Sequence, residues 1–422
     1  MTGFELLCLG DLHLGRPCGR LPEPYRHLGP EVAWERCVDE AVRRRVQGVL
    51  LAGDVVDHRN RFRETLGPLD RGVSRLSEAG IPCFTVAGNH DAEVLPRLAS
   101  AVPGLRVLGH GDRWESMTID GCGMRVRIVG WSDRGAGVGL DESLRRFDGG
   151  RREEEDAVLG LLHAEAPTPP AALSLIEGVD AWLLGHIHKP TEGLTSSGRP
   201  IGFLGSVVGL DPTETGWRGA YVLRVEGRRR VGMERLPVSP VRWETVRVAV
   251  SADATEGATV FTQAARALHA RHEEISPELA GVQVVAVRVV LEGGVRQRAA
   301  IRDYARGGEL LELASARDGV RWVVHDVVDE TRPHVDLRVL ARGHDPVGLL
   351  ARDLLALGDE ASEVRRDLMS EARRVLEARD ASGPWSAAGM TGLDDGEVTA
   401  WLERAGYAAI EAMLAQREEV SS

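Results

Sequence analysis

The stretch Leu6–His13, LLCLGDLH, is an apolar run that passes through one glycine into Asp11 and His13. Four further runs end in the same manner: GVLLAGD (Gly48–Asp54), CFTVAGNHD (Cys83–Asp91), LGLLH (Leu159–His163) and WLLGHIH (Trp182–His188). A short continuous apolar run bounded by polar residues is the pattern of a strand buried on both faces. These runs stop at carboxylate, amide and imidazole groups instead of ordinary turn residues. In all but the fourth, a glycine stands directly before the polar residues. The pattern gathers Asp11, His13, Asp54, Asn89, His163, His186 and His188 at one edge of a sheet.

Oxygen and nitrogen donors of this kind suit hard or borderline divalent ions. Residues two apart in an extended chain point the same way. Asp11 can therefore converge with His13, and His186 with His188. Two ions about 3.5–4 Å apart can share a carboxylate and a water, activating the water and offsetting charge on phosphate oxygens. Asp54, alone at the end of its run, is the natural bridge. D-x-H and GD-x-x-D are weak signals taken singly, and GNHD and G-H-x-H are moderate. All of them in order, with a solitary histidine before the last, form a strong one. The implied chemistry is phosphoester hydrolysis at a two-metal centre.

The surrounding composition is that of a globular protein of two or three domains: 422 residues, 43% hydrophobic and 27% charged. A formal net charge of −12 argues against a chain coated in nucleic-acid-binding charge. It leaves room for a nucleic-acid enzyme whose metals meet the phosphates or whose partner supplies a basic surface. Five cysteines, Cys8, Cys18, Cys37, Cys83 and Cys122, lack the spacing of a zinc ribbon or a disulfide framework and point to a reducing cytoplasm. No run reaches the roughly 20 apolar residues that span a membrane. The chain holds a single lysine, Lys189, and only two asparagines, Asn60 and Asn89. An asparagine inside GNHD stands out against that background.

Up to about residue 240, apolar strands alternate with amphipathic helices over Val32–Val46 and Thr65–Ala79, which favours an α/β layer architecture. Gly135–Gly150 reads as a loop beside the site, and LPVSP (Leu236–Pro240) as a linker. Residues 241–342 then read as a small α+β domain, with strands at Thr245–Val250, Val282–Leu291 and Trp322–Val328 and a helix over Ala258–His272. His325, His334 and His344 read as isolated surface or satisfied structural histidines. Residues 343–422 turn helical, with Leu350, Leu354 and Leu357 and then Val364, Leu368 and Val375 at helical spacing. A break at Ser382–Gly396 precedes a last helix carrying Val398, Trp401, Leu402 and Ile410. These helices either cover the rest of the protein or dock on a partner.

Over residues 1 to about 210 these motifs make the chain resemble the calcineurin-like metallophosphoesterases. Within them it looks like the SbcD and YhaO type of DNA-repair exonuclease, kin to the nuclease subunit of the eukaryotic double-strand-break repair complex. The resemblance implies an α/β/β/α sandwich of two mixed sheets, followed by a small cap domain and a helical tail. It implies that Asp11, His13, Asp54 and His188 hold one metal and Asp54, Asn89, His163 and His186 the other. Manganese is the metal implied, with magnesium or another divalent ion as an alternative. His90 would touch the phosphate and assist the leaving oxygen, which suits general acid catalysis of an alkoxide that leaves poorly. Asp91 would either orient His90 or cap the following helix. Asp57 and His58 read either as supports behind the ligands or, more simply, as surface-loop residues; Asn60 and the basic Arg59, Arg61 and Arg63 lie in the same loop, where contact with substrate or phosphate is the alternative to a solvated loop. The resemblance further implies DNA as substrate, an SbcC-like coiled-coil ATPase docking on the C-terminal helices, and a cytoplasmic location. It leaves room for a homodimer, a small-molecule phosphodiesterase or phosphatase, or an inactive scaffold.

Overall fold

A computed structural model describes residues 3–57, 63–111, 113–132, 144, 147, 154–164, 173, 176–194, 198–227, 229–380 and 394–421. The chain divides into two compact units. The first comprises residues 1–245, 271–288 and 314–326, and the second residues 246–270, 289–313 and 327–422.

The first unit is built on two six-stranded sheets. Strands β1 (Phe4–Leu9), β2 (Gly48–Leu51), β3 (Cys83–Thr85) and β4 (Leu105–Val107) run parallel, and β11 (Ala220–Val225) and β12 (Val231–Leu236) add antiparallel beside β1. In the second sheet β6 (Met124–Trp131), β7 (Ala157–His163), β8 (Ala181–Gly185) and β10 (Pro200–Phe203) are parallel. Its antiparallel edges are β5 (Glu115–Gly121) and β9 (Gly193–Leu194). Both sheets are mixed, as expected.

Alternation along β1 shows how the layers arise. Phe4, Leu6 and Cys8 face a core shared with the second sheet, where Val126, Ile128, Leu159, Leu161 and Leu183 meet them. Leu7 and Leu9 face the other way, into a core with Trp34, Cys37 and Val38 of α1 (Pro30–Arg44), Leu69 and Val73 of α2 (Arg63–Glu78), and Leu98 of α3 (Leu95–Ala101). The far side of the second sheet buries Trp131, Leu162, Trp182 and Leu184 with Leu173. Helix α1 opens on Pro30, whose missing N–H costs nothing in a first turn, and closes on Arg43 and Arg44, whose charge suits the helix C-terminus. The periodic stretches at Val32–Val46 and Thr65–Ala79 are α1 and α2, each starting two residues early. The Gly135–Gly150 stretch lies outside the described residues except at 144 and 147.

Strands β13 (Val241–Ala249), β14 (Val284–Val295), β15 (Ala314–Arg317) and β16 (Val320–Pro333) form a third sheet in the order β13-β14-β16-β15, accompanied by α4 (Gly257–Ile275) and α5 (Arg298–Gly307). His325, read as surface or satisfied, has both ring nitrogens buried without hydrogen-bond partners, its ring edge-on to Trp243 at 5.0 Å. Burial among apolar neighbours holds it largely uncharged, its pKa lowered to about 4. The tail comprises α6 (Leu337–Leu340), α7 (Pro346–Leu357), α8 (Glu363–Asp380) and α9 (Asp395–Ser421). Asp345 caps α7 by accepting the Gly348 N–H at 2.8 Å. The apolar stripe of α7 packs within the tail: Val347, Ala351 and Leu354 meet Ile410 of α9, and Leu357 meets Met369 and Val398. Most of the Ser382–Gly396 break lies outside the described residues. No helix among the described residues is long and apolar enough to cross a membrane.

Leu161, fully buried between the two sheets, and Leu355, exposed on α7, give a direct check of this layering. Leu161→Ala is expected to cost about 2–5 kcal/mol, and Leu355→Ala less than about 0.5 kcal/mol. Urea unfolding measures both, and equal midpoints would contradict the layered core.

Candidate metal centre

The five parallel strands β1, β2, β3, β7 and β8 present their C-terminal ends along one edge of the stacked sheets, where open α/β folds place their ligands. The polar residues read from the sequence stand just beyond these ends. Asp11 and His13 follow β1, Asp54 follows β2, Asn89 and His90 follow β3, His163 closes β7, and His186 and His188 follow β8.

The convergence does not come from strand alternation. His13, Asp54 and His186 lie past their strands with φ of 48°, 46° and 97°, a left-handed backbone that non-glycine residues adopt rarely. Such conformations persist only where the surroundings over-determine them, and they cluster at functional sites. Hydrogen bonds supply the constraint here. The Leu12 and His13 amides both donate to the Asp54 carbonyl at 3.1 and 2.9 Å. The His186 amide donates to Asp11 Oδ1 at 2.8 Å, and the His90 amide to Asp54 Oδ1 at 2.9 Å. The preceding glycines have a steric reason. A Cβ at Gly88 would lie 2.2 Å from Asp54 Oδ1, and one at Gly185 would lie 2.0 Å from the Ala52 carbonyl oxygen.

The side chains form two adjoining clusters. In one, Asp11, His13 and His188 bring donor atoms within 4.8 Å of one another, and His13 Nε2 lies 3.0 Å from His188 Nε2. In the other, Asn89 Oδ1 lies 2.9 Å from His163 Nε2 and 3.1 Å from His186 Nδ1. Asp54 touches both, with Oδ2 at 3.4 Å from His163 Nε2 and 3.7 Å from His13 Nε2. All seven candidate ligands are thus brought together.

The donor set fits cations. His163 Nδ1 lies 3.0 Å from the Ala52 carbonyl, which can only accept, so that nitrogen carries the proton of the neutral ring. Nε2 is then bare and faces the Asn89 oxygen, acceptor to acceptor. His188 Nδ1 likewise donates to Glu214 Oε1 at 2.7 Å and turns its Nε2 inward. Asp11 Oδ2 is buried without a hydrogen-bond partner. A divalent ion bound among these lone pairs would satisfy them, and carboxylates or carbonyls behind the imidazoles are the usual support of such sites.

Electrostatics point the same way. Burial, then the charge of Asp11, pushes Asp54 up to about 8, against the pull of the His90 amide and His188. Burial, then the neighbouring imidazoles of His188 and His90, holds His13 well below the usual histidine range. Burial also works against the charged form of His188, but Glu214, Asp11 and Asp54 outweigh it and the net direction is upward.

Two readings of the sequence need revision, and one further residue beside the centre carries no sequence signal. Asp91 is fully buried, and both its oxygens accept backbone amides: Oδ2 from Val55 at 2.7 Å and Val56 at 3.3 Å, Oδ1 from Gly88 at 2.8 Å. It ties the loop of Asp54 to the loop of Asn89. Helix α3 has Val94 at its N-cap, with no side-chain cap. The carboxylate facing His90 is that of Asp57, whose Oδ2 lies 3.9 Å from His90 Nδ1 and 3.7 Å from His13 Nδ1. Asp57 reads from sequence as a surface-loop residue, yet it is 3% exposed, because its loop pairs back on Leu14 through the Asp57 amide. Glu214 carries no motif and stands far along the chain from His188, so no sequence signal marks it. His58, Arg59, Asn60, Arg61 and the side chain of Arg63 lie outside the described residues.

Comparison with known proteins matches residues 4–190 to the calcineurin-like phosphoesterase family. YhaO of Bacillus subtilis, bearing the name uncharacterized metallophosphoesterase, is 27% identical over 322 residues, which cover 69% of this chain and 72% of YhaO. The DNA double-strand break repair protein Mre11 of Sulfurisphaera tokodaii is 28% identical over 112 residues, 26% of this chain and 28% of that protein. Mre11 of Methanosarcina mazei is 35% identical over 97 residues, 21% of this chain and 14% of that protein. The chain therefore spans well under two thirds of these Mre11 proteins. All seven candidate ligands fall inside the residues that match the calcineurin-like phosphoesterase family and stand on the two-sheet framework.

Proposed function

We propose that the chain is a manganese-dependent DNA nuclease, the hydrolytic subunit of a DNA repair or processing complex with an SbcC-like ATPase in the cytoplasm. The observation that carries the hydrolytic reading is the pair of facing acceptor clusters joined by Asp54. Relatives named for DNA double-strand break repair support DNA as the substrate. The acidic chain, at −12, fits a subunit whose grip on DNA is partly borrowed. The helical tail is the proposed docking segment for the ATPase.

Asp11, His13 and His188 would hold one ion, Asn89, His163 and His186 the other, and Asp54 both. When bound, the ions supply polarisation of the phosphate oxygens and activation of the attacking water. The protein's own part is positional and acid–base. Asp91 fixes the two loops that carry Asp54 and Asn89, so the ligands need no reorganisation when substrate arrives. His90 shows 27% of its side chain to solvent while its Nδ1 faces buried Asp57. In this reading His90 touches the scissile phosphate and protonates the departing 3′-oxygen, and its backbone N–H holds the bridging carboxylate. The acid and the metal bridge, on two separate loops, are therefore joined directly by a hydrogen bond.

His90→Ala is expected to lower the turnover number roughly 10²- to 10⁴-fold with the bound-metal content unchanged. Manganese-dependent cleavage of defined single-stranded and duplex DNA by parent and variant measures this. Absence of cleavage by the parent, with and without a co-purifying ATPase, would overturn the nuclease reading.

Metal binding should depend on pH with a definite sign. Because Asp54 is raised to about 8 in the metal-free chain, a proton must leave before an ion takes its place below that pH. Manganese affinity is expected to climb as pH rises from 6 towards 8 and to flatten above. Calorimetry at pH 7 in two buffers of different ionisation enthalpy should show protons released on binding. A binding heat independent of buffer would contradict the raised Asp54.

A further inference from the structure

Glu214 has no part in the seven-ligand reading, yet it touches a candidate ligand through a short side-chain hydrogen bond, 2.7 Å from Oε1 to His188 Nδ1. Its second oxygen is also engaged. Oε2 accepts the Ser206 hydroxyl at 2.9 Å and the Leu210 amide at 3.0 Å. The Ser206 hydroxyl in turn accepts Arg218 Nε at 3.1 Å, and Arg218 Nη1 donates to the carbonyls of Thr215 and Trp217. Ser206, Glu214 and Arg218 are all buried. The loop that carries Glu214 is itself anchored. The Trp243 indole donates to the Gly209 carbonyl at 2.8 Å, Cys18 Sγ donates to the same oxygen at 3.3 Å, and the Gly216 amide donates to the Trp243 carbonyl at 3.1 Å.

From this we infer that Glu214 is a positioning residue for the metal centre: it fixes the ring orientation and tautomer of His188 and so sets the affinity of one of the two ion sites. The inference rests on the two-metal reading above. A carboxylate can accept at both oxygens, and that is what this geometry demands. His188 Nδ1 must then carry the proton, and Nε2 presents its lone pair to the ion shared with Asp11 and His13. The site that holds Asn89, His163 and His186 has its own support, the Ala52 carbonyl behind His163. It does not depend on Glu214.

Glu214→Gln separates this role from simple packing, because the two side chains have nearly the same shape. An amide cannot accept at both ends. If its oxygen faces His188, its NH₂ opposes the Leu210 N–H, donor against donor. If its NH₂ faces His188, the imidazole proton is forced to Nε2, where it points at the ion site. Either arrangement weakens one site and leaves the other.

The test is equilibrium binding of manganese to the metal-stripped full-length chain, with bound metal measured directly and the melting temperature of the metal-free chain recorded alongside. The parent should take two ions. Glu214→Gln should take one with parental affinity and the other roughly 10- to 100-fold more weakly, a one-site loss that general destabilisation of the metal-free chain would not give. Glu214→Ala should show the same one-site loss. Two ions at parental affinity in both variants would overturn the inference. So would equal loss of both ions together with a lowered metal-free melting temperature, since that is the mark of a merely structural residue. A parent that binds fewer than two ions would overturn the two-metal reading itself, and the role of Glu214 with it.

Discussion

Asp11 and Asp54 lie buried side by side at the ends of neighbouring parallel strands, and the rest of the centre is arranged around their repulsion. Desolvating a carboxylate is expensive, and a second carboxylate beside it makes the charged pair worse. Asp54 responds by holding its proton far above the ordinary carboxylate range. Three compensations are built in. Backbone amides of His186 and His90 reach one oxygen of each carboxylate, imidazoles fill much of the space around them, and the remaining oxygen of Asp11 is left for a cation. The two sheets exist in part to hold these ends rigid: apolar side chains fill both faces of β1 and leave its C-terminus no freedom to relax away from β2.

Much of this was legible in the sequence because buried parallel strands and their ends are written locally. The run CFTVAG before Asn89 names its strand by apolar continuity and its end by glycine, and the structure adds the reason for the glycine, a methyl group at position 88 having no room beside Asp54. The alternating helices and strands up to residue 240 likewise followed from periodicity. The way the ligands converge was not legible. Three of them sit in left-handed backbone, a conformation imposed by hydrogen bonds between loops far apart in sequence, such as that from His186 to Asp11.

The supporting residues were harder still. Asp57 follows Asp54 by three positions and looks like any polar loop residue until the loop folds back on Leu14 and buries it. Asp91 stands beside His90 in sequence, yet its carboxylate serves three backbone amides, which no local pattern specifies. Glu214 reaches His188 only because β13 holds the intervening loop in place through Trp243. The helices after residue 343 lie between these extremes: their stripes are plain in sequence, and Leu354 and Leu357 find partners inside the tail, while Trp401 on α9 stays half exposed.

The most direct measurement is the anomalous scattering of manganese in a crystal of this chain grown with the ion. Two peaks about 3.5–4 Å apart are predicted, both within bonding distance of Asp54, one shared with Asp11, His13 and His188 and the other with Asn89, His163 and His186. A single peak, or peaks away from Asp54, would contradict the account.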